Sequence, residues 1–208
     1  MEPTKVELDI LAAARELFME KGFAATSTTD IARKAGCNQA LVHYYYRTKE
    51  KLFERIYTDA VTGTLSMISH VLDEPVDSLT MEDMVNNVID VYFGTLRDNP
   101  RLPFFLVQEL LLNPDRREFI REHFIHNDLR REAYSKYVRL VEKLQTEGRI
   151  RAIEPFDLLV NVVSLVAGTF LSLPIYAGLL EKTPAEQTAY LDGRKKEIKT
   201  VILSRLLP

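Results

Sequence analysis

Apolar residues recur every three or four positions along most of the chain, and no segment shows the strict alternation that is typical of a strand. The first helical segment has its apolar positions at Leu8, Leu11, Ala12, Ala14, Leu17 and Phe18. Thr4 can cap the start of this helix, and Gly22 can end it. The pattern predicts an all-α protein.

Two short helices follow the first one. The sequence Ser-Thr-Thr-Asp at 27–30 is close to a capping box and predicts a helix over residues 28–35. Gly36 interrupts this helix, and Asn38 can cap a third helix over 39 to about 45. Two short helices joined in this way have the helix-turn-helix layout, whose second helix enters the DNA major groove. From the spacing alone, a plain helical hairpin remains the alternative.

The rest of the chain also predicts helices. A fourth helix covers about 49–72, and the composition changes near 73–75. Proline-containing breaks then separate further segments, which we expect to be helical over about 80–97, over 115–147 with room for a kink near Asn127, from 155 onward, and over 184–206.

The composition is that of an ordinary soluble globular protein, because 46% of the 208 residues are apolar and 27% are charged. The net charge of −3 gives no overall preference for nucleic acid or membrane. Any affinity for DNA must therefore be local. The single cysteine, Cys37, excludes an internal disulfide and fits a reducing cytoplasm, where we expect the protein to act.

The segment ILAAARELFMEKGFAATSTTDIARKAGCNQALVHYYYRTKEKLFERIY carries a more specific pattern. Its features are Ala14-x-x-Leu17-Phe18, Gly22-Phe23, Thr28-x-x-Ile31-Ala32-x-x-Ala35-Gly36, the aromatic end of the third helix, and Lys49-x-x-Leu52-Phe53. This segment resembles the DNA-binding domain of the TetR/AcrR family of transcriptional regulators. The resemblance implies a helix-turn-helix domain over residues 1–50 and a helical ligand-binding and dimerisation domain over residues 51–208.

Several side chains of the third helix are candidates for DNA contact. Gln39 and Ala40 occupy the end at which a recognition helix presents its base-reading residues. Glutamine can pair with adenine and can also donate to guanine. His43 shares a helical face with Gln39, because four residues make about one turn. The hydroxyl groups of Tyr44 and Tyr45 can reach phosphate oxygens.

Phosphate contacts are also expected outside the third helix. Thr28 lies at the start of the second helix, whose free amides suit an anion. The resemblance implies that Lys49 holds a phosphate. Between residues 31 and 55, six basic side chains minus two acidic ones give a local charge of +4. Such a basic stripe is typical of a DNA-binding face, although a solvated helix surface has the same composition.

This sequence departs from the family at four positions in the helix-turn-helix segment. The family commonly has tyrosine at the position of His43 and a glycine-threonine pair at Ala40-Leu41. The operator sequence therefore does not carry over. Cys37 replaces the usual valine, and we interpret it as a small core residue in preference to a redox switch.

The resemblance implies that the second half of the chain is a sensor. Aromatic walls with a few polar groups are what a small-molecule pocket needs. The candidates are Tyr92, Phe93, Phe104, Phe105, Gln108, Tyr134, Tyr137 and Asn161. A plain packed core is the alternative for each aromatic residue. His123 and His126 have a spacing that can hold a metal, but an exposed helix face is the preferred interpretation, and we expect no metal and no cofactor.

The last two helices are the predicted dimer interface. Their apolar stripes and small residues include Leu158, Leu165, Gly168, Thr169, Ile198, Val201 and Ile202. The apolar run that contains several of these residues has too many polar interruptions for a good membrane span. A helix buried in a bundle or in a dimer is the better interpretation.

Together these patterns predict a homodimeric repressor that a small, mainly apolar ligand releases from a palindromic operator on double-stranded DNA. A DNA-organising member of the same fold without a ligand is the first alternative. An enzyme on a helical scaffold is the second, and the lack of a nucleophile elbow, phosphate loop or dinucleotide fingerprint argues against it.

Overall fold

The computed structural model describes residues 3–72, 80–120 and 128–208. The regular elements of these residues are the α-helices α1 (Lys5–Lys21), α2 (Thr28–Lys34), α3 (Gln39–Tyr46), α4 (Lys49–Leu72), α5 (Met81–Asp98), α6 (Leu102–Leu112), α7 (Pro114–Ile120), α8 (Asp128–Thr146), α9 (Pro155–Leu179) and α10 (Pro184–Leu206). The prediction of an all-α fold is confirmed.

The sequence pattern missed one helix. It gave no helix between Asn99 and Asn113, whereas α6 occupies that interval with Pro103 in its first turn. Proline is well tolerated there because the first helical amides have no partner inside the helix. The helix expected over 115–147 is described as α7 and α8. The residues between them, including His123, His126 and the expected kink at Asn127, lie outside the described part of the chain.

Packed aromatic rings hold the first four helices together. The Phe53 ring of α4 lies 5.1 Å from the Phe18 ring of α1 and 5.0 Å from the Phe23 ring, both edge to face. Ile10, Ile31 and Val42 are buried beside this cluster. Large rings in such geometry contribute burial and a further attraction between ring edge and face. The helix-turn-helix unit is therefore built on the start of α4.

The same aromatic cluster continues into the second half of the chain. The Phe105 ring of α6 lies 5.5 Å from Phe53 and 5.6 Å from Tyr57. The Tyr57 hydroxyl donates to the carbonyl oxygen of Leu106 at 2.9 Å. The core thus crosses the domain boundary that we expected after residue 50, and α6 lies directly against the DNA-binding unit.

Helices α5, α9 and α10 form the core of the second half. The Phe93 ring of α5 and the Phe170 ring of α9 have their centroids 5.0 Å apart. The Asp90 carboxylate accepts from Lys195 at 2.9 Å and from Lys199 at 2.7 Å, both on α10. These exposed ion pairs fix the register of α5 on α10 more than they add stability.

Helix α9 is apolar on more sides than one protomer can cover. By length and composition it is the one helix of the described residues that meets the criteria for crossing a membrane. Only 28% of the residues in its most apolar part are buried. Val166 and Phe170 pack into the core, whereas Phe156, Ile175 and Leu179 are exposed. This apolar face of α9 is therefore not covered by the part of the chain that the structure describes.

We expect Phe53→Ala to lower the free energy of unfolding by about 3–5 kcal/mol, because it opens a cavity between α1, α4 and α6. Leu8→Ala is the matched control, since Leu8 is 50% exposed and its truncation leaves no cavity. Denaturant unfolding followed by circular dichroism measures both variants. An equal loss in the two would contradict the central role of Phe53.

Candidate nucleic-acid interface

Local hydrogen bonds define the two short helices. The Ser27 side chain accepts from the Asp30 amide at 3.0 Å, and its hydroxyl donates to the Asp30 carboxylate at 2.6 Å. The hydroxyl contact holds the pKa of Asp30 below its ordinary value, although burial opposes this effect. Asn38 accepts from the Leu41 amide at 3.0 Å and so caps α3. Between the helices, Gly36 has φ +67°, a left-handed conformation that glycine adopts without strain.

One side of α3 is anchored to α1. Val42 is buried, and the Tyr46 hydroxyl donates to the carbonyl oxygen of Glu7 at 3.1 Å. Burial, with the Glu7 carboxylate adding to it, raises the pKa of Tyr46 to about 12, so the hydroxyl stays protonated and donates at physiological pH. The Tyr45 oxygen accepts from the Thr4 hydroxyl at 2.9 Å and keeps its own proton for another acceptor. Two of the three consecutive tyrosines therefore fix the orientation of α3.

The opposite side of α3 is open to solvent. Gln39, Ala40, His43 and Tyr44 are all exposed, and Tyr44 has 67% of its surface accessible. The Tyr44 ring stands edge to face against Tyr45, with 5.1 Å between the centroids. The helix therefore presents a polar face with one aromatic ring, which suits base edges and the sugar-phosphate backbone.

Gln39 is the most connected side chain of this open face. Its Nε2 donates to the Thr28 hydroxyl oxygen at 2.8 Å, and its Oε1 accepts from the Thr29 hydroxyl at 3.3 Å. Thr28 is half-buried at the start of α2, as the sequence predicted, but Thr29 was not among the expected residues. No helical period links Thr29 to Gln39, and only the packing of α2 on α3 brings them together.

Lys49 lies in a different environment from the one expected of a free phosphate-binding lysine. Its Nζ donates to the carbonyl oxygens of Phe23 and Thr26, each at 3.0 Å. The ammonium also lies 4.1 Å from the centre of the Phe23 ring. These contacts tie the loop between α1 and α2 to the start of α4. One N–H of the ammonium remains for a further acceptor.

The basic side chains around α3 differ in how far they are neutralised. Arg33 pairs with Asp30, Lys34 contacts Glu16 at 2.6 Å, and Arg55 contacts Asp59 at 2.9 Å. Within the described residues, the structure gives no ion pair to Arg47 or to Lys51, and both are exposed. Arg47 was missing from the expected DNA-contact residues, although its place just after α3 and its charge could have indicated it.

The residues predicted for the ligand pocket do not all face the interior. Tyr92, Phe93 and Phe105 are buried, and Gln108 and Tyr137 are half-buried. The Tyr137 hydroxyl donates to the Pro155 carbonyl oxygen at 2.8 Å. The other three, Phe104, Tyr134 and Asn161, are exposed. Periodicity identified an apolar face on each helix but not which helix would cover it.

The predicted dimer residues also differ in how far they are buried within one chain. Leu158, Thr169, Ile198 and Ile202 are buried within one protomer and form part of its own core. Leu165 and Gly168 are half-buried, and Val201 is 42% exposed. The exposed apolar side chains of α9 are instead Phe156, Val160, Ile175, Tyr176 and Leu179. Of the expected stripe, Val201 is the residue best placed on an open surface.

Comparison with known proteins gives an independent line of evidence. Residues 10–56 match the sequence model of the family described as bacterial regulatory proteins, tetR family. Over 202 residues, the chain is 22% identical to YfiR of Bacillus subtilis, an uncharacterized HTH-type transcriptional regulator, covering 95% of this chain and 92% of that protein. YvdT of the same organism, with the same description, is 36% identical over 76 residues, which are 36% of this chain and 39% of that protein.

A solved structure has the same fold. A TetR-like transcriptional regulator from Rhodococcus sp. superposes with a TM-score of 0.58 at 16% identity, covering 97% of this chain and 96% of the other. These relatives are regulators, so the prediction that the chain is not an enzyme is confirmed. The matched segment holds the capped α2, the anchored α3 and the start of α4. Residues 10–56 are thus a DNA-binding domain of the tetR type, and these findings together support a TetR-family, DNA-binding transcriptional regulator.

Proposed function

We propose that this chain is a cytoplasmic, homodimeric repressor that binds a palindromic operator through α3 and leaves it when a small, mainly apolar molecule binds the second half. The observation that carries the DNA-binding part is the two-sided environment of α3. Tyr45 and Tyr46 hold one side on α1. The other side presents Gln39, Ala40 and His43 to solvent.

The proposed contacts divide by chemistry. Gln39 and Ala40 would meet base edges in the major groove, which carry sequence information, and His43 lies beside them on the same open face. Tyr44, Tyr45, Thr28 and Lys49 would meet phosphates, which position the protein without reading sequence. Exposed Arg47 and Lys51 add positive charge at the same surface.

A second copy of the chain is the proposed cover for the open face of α9. Phe156, Val160 and Ile175 lie on that face, and Val201 of α10 is also exposed. A Cβ added at Gly168 would have no atom within 4 Å, so another backbone can approach there. Two-fold pairing would set two α3 helices about one DNA turn, ~34 Å, or a multiple of it apart, and a palindromic operator matches that symmetry.

The proposed ligand site lies among the buried aromatic rings of α5 and α6. Tyr92, Phe93 and Phe105 are apolar, and the buried Glu109 supplies a polar group in the same half. Helix α6 touches both α1 and α4. Gln108 of α6 lies near Gly22, with 3.7 Å between its Nε2 and a Cβ placed on the glycine. A ligand can release DNA only by binding the non-binding conformation more tightly.

Selection of bound sequences from a random DNA pool tests the proposal. The recovered sites should be palindromes with half-sites a whole number of turns apart. The labelled palindrome then serves in an anisotropy screen of apolar small molecules, and hits should both release it and raise the melting temperature. Recovery of unrelated, non-palindromic sequences would contradict the proposal.

We expect Lys49→Ala to weaken binding to all DNA sequences about equally and to lower the salt slope by about one unit, because a phosphate contact carries no sequence information. Titrations of operator and unrelated DNA at several salt concentrations measure both effects. Lys196→Ala, which removes an exposed charge from α10, is the matched control and should leave both affinity and slope unchanged. A lower melting temperature with an unchanged salt slope would show that Lys49 stabilises the loop through Phe23 and Thr26 and does not contact a phosphate.

Tyr44→Phe should leave the fold and melting temperature unchanged, since the ring stays and Tyr44 is mostly exposed. Operator affinity should fall by about 0.5–1.5 kcal/mol, the usual net contribution of one hydrogen bond. Tyr46→Phe is the comparison, because it should instead lower the melting temperature by removing the bond to Glu7. Equal DNA affinity of Tyr44→Phe and the wild type would remove this hydroxyl from the interface.

Val160→Asp and Val201→Asp should each reduce the mass in solution to that of a monomer, because each would bury an unpaired charge between protomers. Both positions are about two-fifths exposed in one protomer, so the isolated fold should survive. Leu8→Asp places the same charge on an exposed apolar residue far along the chain, and it should keep the dimer mass. Light scattering that finds dimers of both variants would rule out this interface.

A further inference from the structure

A chain of hydrogen bonds runs along the open side of α3 and ends at the proposed base-reading amide. The Nδ1 atom of His43 lies 3.1 Å from the carbonyl oxygen of Arg47, and Nε2 of His43 lies 3.5 Å from Nε2 of Gln39. Gln39 in turn contacts Thr28 and Thr29. Each link restricts the next one.

The first link fixes the tautomer of His43. A carbonyl oxygen only accepts, so the Nδ1 atom that faces Arg47 must carry the hydrogen. In the neutral imidazole, Nε2 is then an acceptor. The ring is held firmly, because the same pair is bonded twice: the Arg47 amide donates back to the His43 carbonyl oxygen at 3.0 Å. Arg47, at the end of α3, has φ +65°, and its carbonyl oxygen lies within hydrogen-bond distance of the His43 Nδ1 atom.

The second link fixes the amide of Gln39. An accepting Nε2 on His43 requires an N–H from Gln39 and disfavours its carbonyl oxygen at that place. The Gln39 amide nitrogen therefore donates one hydrogen to His43 and the other to the Thr28 hydroxyl oxygen, which lies 2.8 Å away. Its Oε1 accepts from Thr29 and has a second lone pair. Since Gln39 is exposed, that lone pair is open to a group outside the protein.

We propose that His43 is a positioning residue that determines base specificity by orienting Gln39 as a hydrogen-bond acceptor. The preferred base at that point of each half-site then carries an exocyclic amine in the major groove, which means adenine or cytosine. A freely rotating glutamine would instead present a donor as readily as an acceptor. The inference rests on the proposed function of α3 as the recognition helix, and it adds what sets the preference.

Two substitutions at position 43 distinguish the loss of the contact with Gln39 from the loss of the imidazole ring itself. A glutamine side chain ends near the place of the imidazole Nε2, and its oxygen can accept from Gln39. An asparagine side chain ends near Nδ1, so it keeps a bond to Arg47 and loses the one to Gln39. We therefore compare His43→Gln with His43→Asn, each alone and combined with Gln39→Ala, after melting curves establish that all are folded.

The measurement is the relative affinity for operators that carry each of the four bases at every half-site position. For the wild type and His43→Gln, we expect one position at which adenine or cytosine is preferred by about fivefold or more. His43→Asn and Gln39→Ala should each reduce the preference at that position to within about twofold. In the Gln39→Ala background, the Gln and Asn variants at position 43 should have equal profiles.

Three results would overturn the inference. A preference for guanine or thymine at the position that Gln39→Ala affects would exclude the acceptor orientation. An unchanged base preference in His43→Asn would show that Gln39 keeps its orientation without the contact from His43. Different profiles of the two variants in the Gln39→Ala background would show that residue 43 contacts DNA directly. A wild type that binds every sequence equally would instead refute the proposed function itself, which is a distinct outcome.

Discussion

The packing of Phe53 is the interaction on which the other parts of the molecule depend. Its ring meets Phe18 and Phe23 on one side and Tyr57 and Phe105 on the other. One side chain therefore links the helix-turn-helix unit, the connecting helix α4 and the first helix of the second half. Because close-packed interiors transmit small displacements, a shift of α6 cannot leave α1 and α4 unaffected. This packing supports the proposed coupling between ligand binding in the second half and the position of α3.

The DNA-facing surface owes its order to contacts on its hidden side. Tyr45 and Tyr46 bind α1, and Lys49 binds two carbonyl oxygens of the loop before α2. These hydrogen bonds fix the position of α3 and of the loop before α2, and Tyr45 and Lys49 each keep one hydrogen for a further acceptor. A reading side chain that is already ordered loses less conformational freedom when it binds. The contact between His43 and Gln39 orders the proposed base-reading side chain in the same way.

The second half is constrained by an excess of apolar surface. Helix α9 contributes Val166 and Phe170 to the core of its own protomer and still exposes Phe156, Ile175 and Leu179. Large exposed apolar patches mark interaction sites, which supports the proposed pairing of two copies through α9 and α10. The buried residues first expected at that interface, among them Leu158 and Ile198, belong to the core of one chain, where α9 and α10 pack together.

The sequence by itself determined the helical class, the capped α2 and α3, the family and the exposed Tyr44, since these depend on neighbours within a turn or two. Caps at Ser27 and Asn38 act locally, and a helical period needs no partner to be recognised. Only the tertiary structure decided that Leu158 and Ile198 belong to the core of one protomer, that Lys49 holds a loop, and that Thr29 meets Gln39. The hydrophobic pattern did not predict helix α6, because this helix is apolar on nearly all sides and shows little periodicity. A period tells which residues share a face, but which surface covers that face depends on how distant segments pack.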